Sequence, residues 1–403
     1  MSLALQYRRS AGRYLAARAV SGTRAGSRLG GALAGKVAPL RLVEQADPAP
    51  PGESWSRVEP VLSGICGSDL GLLTGRCSPY LGPLTSMPFV PGHEVVGYTL
   101  DELPGVPRGS RVVIDPVLRC AARDVPACPA CIAGHTSRCD HITTGRLAAG
   151  LQTGFCATTG GGWSRRMVAH ASQLHPVPDA LPDEIAVLVE PLACAVHAVR
   201  RVRITPGASV LVIGAGTVGL LTLLALRKLT AAGEVCVIAK HAHQADRARE
   251  LGATQVIGTD STARALRRST GALLVEPEFG AGYLLGGIDL AFECTGGATG
   301  LDTALRSLRA GGTVIASGMP SGGVDLTPLW YRELHLVGAY ASAVGEEPSL
   351  GDFPAAIALA GSAPLDGYVD TKYPLEHWRD ALDHAAAAGQ LGTIKVVFAP
   401  GRG

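Results

Sequence analysis

The chain has 403 residues, 47% of them hydrophobic and 17% charged, with a net charge of +2. That length accommodates two domains with buried cores, and the composition excludes long disorder. So small a net charge gives no global basic field of the kind that draws nucleic acid, so no nucleic-acid partner is expected.

The first 36 residues carry Arg8, Arg9, Arg13, Arg18, Arg24, Arg28 and Lys36, and no acid occurs before Glu44. Such a composition resembles an organelle transit peptide. The flanking runs Leu3-Ala4-Leu5 and Leu40-Arg41-Leu42-Val43 read as short strands, which favours a basic surface hairpin or loop. From there to about residue 180, Gly, Pro and short β-branched runs such as Arg111–Ile114 predict an irregular, mostly β domain.

Within that stretch stand Cys66, in Gly-Ile-Cys-Gly-Ser68-Asp69, and His93-Glu94 after Gly92. A thiol, an imidazole and one or two carboxylates make a mixed donor set suited to zinc with an open position. Glu94 and Glu190 are the candidate carboxylates, and Cys194 is a competing thiolate. Four further cysteines, Cys120, Cys128, Cys131 and Cys139, are spaced C-x7-C-x2-C-x7-C. In a reducing compartment this cluster reads as a metal site rather than a disulfide framework, and a cytoplasmic protein is expected. Cys77, Cys156, Cys236 and Cys294 read as ordinary core or surface residues.

After Pro182 the texture changes. A helix over Glu184–Val202 leads into apolar strands at Val210–Ile213, Val235–Ala239, Gln255–Ile257, Ile288–Phe292, Thr313–Ala316 and His335–Val337. Strands alternating with helices predict a parallel, doubly wound sheet. The last sixty residues or so, with a helix near Leu375–Ala388 and a strand at Ile394–Phe398, return to complete the first domain. Val210–Leu229 is long enough to span a membrane, but three glycines, two threonines and Arg227-Lys228 interrupt it. It reads as a buried strand–turn–helix, and no membrane association is expected.

That segment contains Gly214-Ala-Gly216-Thr217-Val218-Gly219 between its strand and its helix. The first glycine permits a tight turn, the second a close backbone approach to a pyrophosphate, and the third the packing of helix on sheet. Unpaired N–H groups at the helix start then face the phosphates. An acid closing the second strand grips the ribose 2′-hydroxyl in NAD enzymes. Here Ala239 closes it and Lys240, His241 and His243 come next, so NADP is favoured over NAD.

Together these pieces resemble the zinc-containing medium-chain dehydrogenases/reductases, the alcohol dehydrogenase superfamily, and most of all its polyol and threonine dehydrogenase branches. The matching motifs are Gly64-Ile-Cys66-Gly-Ser68-Asp69, Pro91-Gly-His93-Glu94-Val-Val-Gly97, Glu190-Pro-Leu-Ala-Cys-Ala-Val-His197, Gly214–Gly219 and Phe292-Glu-Cys-Thr-Gly296. The resemblance implies an α/β protein: a β-rich GroES-like catalytic domain (1–181 and 341–403) with a zinc lobe at 115–141, and a Rossmann cofactor domain (182–340). It implies zinc on Cys66, His93 and Glu190, with Glu94 exchanging. It further implies that Ser68 handles the alcohol proton and that Asp69 orients His93. Cys194 is then a packing residue.

Two departures stand out. Gly71 occupies the position where many relatives carry a proton-relaying histidine. The family's lobe usually reads C-x2-C-x2-C-x7-C, and Cys120 lies five residues upstream of that pattern, with Ala121–Val125 expected to loop out. His135 or Asp140 would be the substitutes for Cys120. The implied reaction is hydride transfer between a nicotinamide cofactor and an alcohol or ketone, in a homodimer or homotetramer. A zinc-independent enone reductase and a silent zinc- and nucleotide-binding redox sensor are the alternatives.

Overall fold

The structure, a computed structural model, describes residues 1–21, 37–260, 262–320 and 322–401. Two compact units divide the chain: Met1–Glu190 with Ser342–Gly403, and Pro191–Ala341. Among the described residues, no helix is long and apolar enough to cross a membrane.

In the first unit, β1 (Ser2–Tyr7) pairs antiparallel with β2 (Leu40–Gln45), setting Leu5 opposite Leu42. Both expected opening strands therefore form. Between them, helix Ala11–Ser21 seats Tyr14 so that its hydroxyl lies 3.4 Å from the carbonyl oxygens of Gly75 and Cys77. Arg24, Arg28 and Lys36 of the expected basic segment lie outside the described residues.

The main sheet of this unit uses β3 (Trp55–Gly64), β4 (Val95–Thr99), β5 (Arg111–Ile114), β6 (Met167–His170) and β7 (Leu174–Pro176). Strands β3, β4, β5 and β7 are neighbours in that order, each pair antiparallel, and β6 joins the first half of β3. Val58, Val95, Val112, Ile114 and Met167 point into one core, which accounts for the β-branched runs.

The expected single helix over Glu184–Val202 is two, Asp183–Ala186 and Val189–Arg200. The break is a tightened turn in which Leu188 N bonds the Ile185 carbonyl three residues back.

The second unit contains β8 (Val210–Ile213), β9 (Val235–Ile238), β10 (Gln255–Ile257), β11 (Leu273–Val275), β12 (Tyr283–Leu285), β13 (Ile288–Glu293), β14 (Leu308–Ala316) and β15 (His335–Gly338). Six of these form one parallel sheet in the order β10-β9-β8-β13-β14-β15. Counted along the chain, that order is three-two-one-four-five-six, the doubly wound Rossmann arrangement. All four residues of β8 and of β9 are buried, as strands covered on both faces require. The antiparallel hairpin β11–β12 is absent from the sequence reading, because its two three-residue strands carry no alternation to reveal them.

The chain then returns to the first unit, where β16 (Val369–Tyr373) pairs parallel with β17 (Lys395–Phe398), and β17 pairs antiparallel with the end of β3. This late return places the C-terminal strand beside Gly64, two residues before Cys66.

Candidate active site and metal centres

Strand β3 delivers the chain to Cys66, the N-cap of helix Gly67–Leu73. Asp69, in the first turn of that helix, is fully buried, and its Oδ2 accepts a 2.9 Å bond from Cys66 N. The carboxylate thereby fixes the backbone that carries the thiol. Ser68 lies beside it, half-buried.

His93 enters from the loop before β4. Gly92 has φ +95°, and a Cβ there would sit 2.4 Å from Trp163 Cδ1 and 2.8 Å from Ser63 Oγ. Only glycine tolerates both constraints. The turn aims His93 and Glu94 inward, both buried, and their ligand atoms lie with Cys66 Sγ within 4.8 Å of one another. Asp69 Oδ1 stands 3.6 Å from His93 Nδ1, an electrostatic contact longer than a hydrogen bond.

Sequence reasoning missed one member of this site. Lys395, on β17, is buried, ion-pairs with Glu94, and donates to the Ile65 carbonyl at 3.2 Å. Gly64 leaves room for the pair: a Cβ there would fall 1.7 Å from Glu94 Oε2 and 2.8 Å from Lys395 Cε. A lone lysine in an apolar C-terminal strand was the available signal, since lysines are almost never fully buried unpaired.

Glu190 is buried near the start of helix Val189–Arg200. It lies near enough to act electrostatically on His93 and Lys395 but stands outside the compact group of three. Cys194 also joins no metal-type group among the described residues.

Burial dominates the electrostatics and lifts the Asp69 carboxyl above its usual range, against the pull of His93 and the Cys66 N–H. Burial alone would depress His93 and Lys395. Asp69 and Cys66 outweigh it for the histidine, and Glu94 and Cys66 for the lysine, so both are raised. Three carboxyls and a thiol thus surround one fixed cation and one imidazole. With buried Asp69 Oδ1 and His93 Nδ1 lacking hydrogen-bond partners, the donor set suits a divalent metal.

The second cysteine group is equally compact: the sulfurs of Cys120, Cys128, Cys131 and Cys139 lie within 4.8 Å of one another. Cys120 Sγ sits 3.5 Å from Cys139 Sγ and accepts from Cys128 N at 3.3 Å. His135 and Asp140 are exposed and outside the group, whereas His141 Nδ1 approaches Cys120 Sγ at 3.3 Å. Burial raises the Cys139 thiol to about 11. It pushes Cys128 the same way, but hydrogen bonds from the Asp140 and Cys131 backbone and from neighbouring thiols bring that group down to about 6.

The segment Ala121–Val125 does not loop out. Residues Cys120–Arg123 form a helical turn ended by Asp124 in the left-handed region, φ 54°. Arg123 is fully buried and donates to the carbonyls of Leu118, Thr144, Leu147, Ala148 and Gly150 at 2.6–3.4 Å. A guanidinium that satisfies five carbonyls makes the insertion part of the lobe's core.

In the second unit, Gly214 comes directly after β8 with φ +94°, and a Cβ there would meet Thr295 Cγ2 at 2.6 Å. At Gly219 a Cβ would overlap Gly214 O at 1.8 Å, so the helix Thr217–Leu229 packs against the turn. Nothing lies within 4 Å of the Cβ position of Gly216, the helix N-cap, which makes no side-chain cap. Thr217 and Val218 open the helix. The turn sits where the strand order reverses, between β8 and β13, the ligand-binding point of such sheets. Its close packing and open first turn fit a dinucleotide pyrophosphate.

Two family models match the chain, one after the other. Residues 52–179 match the alcohol dehydrogenase GroES-like domain, and residues 217–361 match the zinc-binding dehydrogenase family. Sorbitol dehydrogenase of Arabidopsis thaliana is 30% identical over 292 residues, covering 70% of this chain and 73% of that protein. D-arabinitol dehydrogenase 1 of Uromyces fabae is 29% identical over 336 residues, covering 81% and 85%. A zinc-binding dehydrogenase from Sinorhizobium meliloti 1021, solved bound to NADP, superposes with TM-score 0.67 at 26% identity, covering 90% and 95%. The chain belongs to the zinc-containing medium-chain dehydrogenase/reductase superfamily and is a nicotinamide-dependent oxidoreductase of the alcohol dehydrogenase type.

Proposed function

We propose that the protein interconverts a secondary alcohol or polyol and the corresponding ketone, using zinc and preferring NADP. The observation that carries this reading is the buried constellation of Cys66, His93 and Glu94, backed by Asp69 and Lys395. The unit formed by residues 1–190 and 342–403 carries the chemistry, and residues 191–341 hold the cofactor.

When bound, zinc polarises the substrate oxygen and the nicotinamide gives or takes the hydride. The protein's part is positional and acid–base. Cys66 and His93 hold the metal, and the carboxylates of Glu94 and Glu190 supply the remaining protein donors. Lys395 competes for Glu94, which gives that carboxylate two partners to exchange between. Asp69 holds both the Cys66 backbone and the His93 ring in place. Ser68 takes the alcohol proton. Its onward route does not run through position 71, where Gly71 has no side chain to carry it. Backbone N–H groups of Gly216, Thr217, Val218 and Gly219 receive the pyrophosphate, while Ala239 and Lys240 face the ribose.

The four-cysteine lobe holds a second, structural zinc. Among the described residues no cysteine forms a disulfide, which suits a reducing compartment such as the cytoplasm. Strand β15 closes one edge of the six-stranded sheet, with Trp330 80% and Tyr331 67% exposed beside it. An open edge flanked by apolar rings fits two-fold pairing with a second copy of the chain.

The test is an alcohol and ketone panel with both coenzymes, run on protein whose zinc has been counted. Two zincs per chain with turnover of a secondary alcohol or ketone are expected. One zinc per chain with reduction of a C=C bond would favour an enone reductase. No turnover with either coenzyme would favour a silent binding protein.

A further inference from the structure

The end of β9 is where a dinucleotide site of this type reads the adenosine ribose. Ile238 pairs with Ile213 in the register of β8 and β9, and Gly214 N bonds the Ile238 carbonyl at 3.2 Å. The fingerprint turn and the end of β9 are therefore immediate neighbours. Ala239 occupies the position of the expected acid, and its N–H is spent on the Ile257 carbonyl at 2.9 Å.

Beyond Ala239 the chain is basic, and two of its rings stack. Lys240 is exposed, His241 is the N-cap of helix Ala242–Glu250, and no acid occurs in the helix's first turn. The rings of His241 and His243 stack with centroids 5.8 Å apart at 24°. His243 Nε2 is buried without a hydrogen-bond partner in the structure. Two imidazoles held face to face beside a lysine, one with an unsatisfied nitrogen, make an arrangement that an anion completes.

We propose that His241 and His243, with Lys240, bind the 2′-phosphate of NADP and take up a proton in doing so, making the choice of NADP over NAD depend on pH. This rests on the nucleotide reading of Gly214–Gly219 above.

The surrounding charges leave the pair free to respond. On its own helix, Asp246 pairs with Arg249 and Glu250 with Arg247. On the neighbouring helix, Arg227 bonds the Gly252, Ala232 and Gly233 carbonyls, and Lys228 lies in the same last turn, far from the fingerprint end. Glu234 precedes β9 at the opposite end of that strand, and Asp260 lies just past β10 as an exposed carboxylate that solvent screens. Burial, then Lys240 and His243, holds His241 below the usual imidazole range. A phosphate dianion reverses that balance and favours the protonated ring. Proton uptake on binding tightens the complex as pH falls and weakens it as pH rises. The phosphate itself is about half protonated near pH 6, which limits the effect to the range above.

The experiment is calorimetric titration of the full-length protein with adenosine 2′,5′-bisphosphate and with adenosine 5′-monophosphate from pH 6 to pH 8. The bisphosphate is expected to bind at least about tenfold tighter than the monophosphate at pH 8, and the ratio to rise about tenfold further by pH 6, within the tenfold per pH unit that one linked proton allows. His241→Gln with His243→Gln should flatten the ratio against pH. Lys240→Ala should lower it at every pH without altering the slope. A pH-independent ratio in the unmodified protein, or an unchanged slope in the double variant, overturns the proposal. If the monophosphate binds and the ratio is one, this subsite fails alone; if neither ligand binds, the nucleotide reading fails with it.

Discussion

Cys66, His93 and Glu94 are legible in the sequence because each sits in a short motif whose neighbours serve the same site. Gly92 supplies the left-handed turn before His93, and Asp69 anchors the Cys66 backbone. Lys395 is not legible, because its partner Glu94 lies in a distant part of the chain and only the return of β17 onto β3 joins them. Motif reading finds ligands that are neighbours in sequence; it does not find a counter-ion supplied by topology. Glu190, which the resemblance makes a ligand, lies buried near this site, while the compact group gathers Glu94. The pair of Lys395 and Glu94 makes a specific prediction. Lys395→Met strands a buried carboxylate and should cost about 3–5 kcal/mol in chemical denaturation, the range for breaking one side of a buried ion pair. Adding Glu94→Gln should recover most of that loss. If the single variant unfolds at the same denaturant concentration as the parent, the pair carries no such role.

Among the elements, the strands of the six-stranded sheet are legible to within one or two residues except β14, which starts five residues earlier than expected. Parallel strands buried on both faces announce themselves as unbroken apolar runs. The helix after Pro182 reads as continuous because Val187-Leu188 is apolar and helix-compatible, and nothing local marks the tightened turn. The lobe is legible only in part. Its four cysteines announce a metal centre, but no side-chain pattern marks the residues between Cys120 and Cys128 as structural. The reason lies in Arg123, whose five carbonyl partners are mostly loop backbone. Arg123→Met should leave five carbonyls short of a donor and destabilise the lobe by about 3 kcal/mol or more. The check is zinc release to a chromogenic chelator: one of two zincs should leave much faster than in the parent. Equal release rates would show that the cysteines hold the lobe without help.

For the molecule as a whole, composition sets the class, and the order of motifs sets the domain sequence. The association state is invisible in sequence, because it depends on which strand ends a sheet. Strand β15 does, and it leaves Leu336 42% exposed with Trp330 and Tyr331 alongside. If two copies pair through this edge as proposed, replacing Leu336 by Lys should shift the protein from dimer to monomer in sedimentation, with little change in helix and strand content. A parent that sediments as a monomer would remove that reading. The central claim, that the sparse site at Cys66 performs the chemistry while the denser cysteine cluster braces a lobe, meets its most direct test in one variant. Cys66→Ala should retain the fold and one tightly held zinc, lose the other, and show no measurable alcohol or ketone turnover; a variant that turns over at the parent's rate with only the lobe zinc bound would contradict the account.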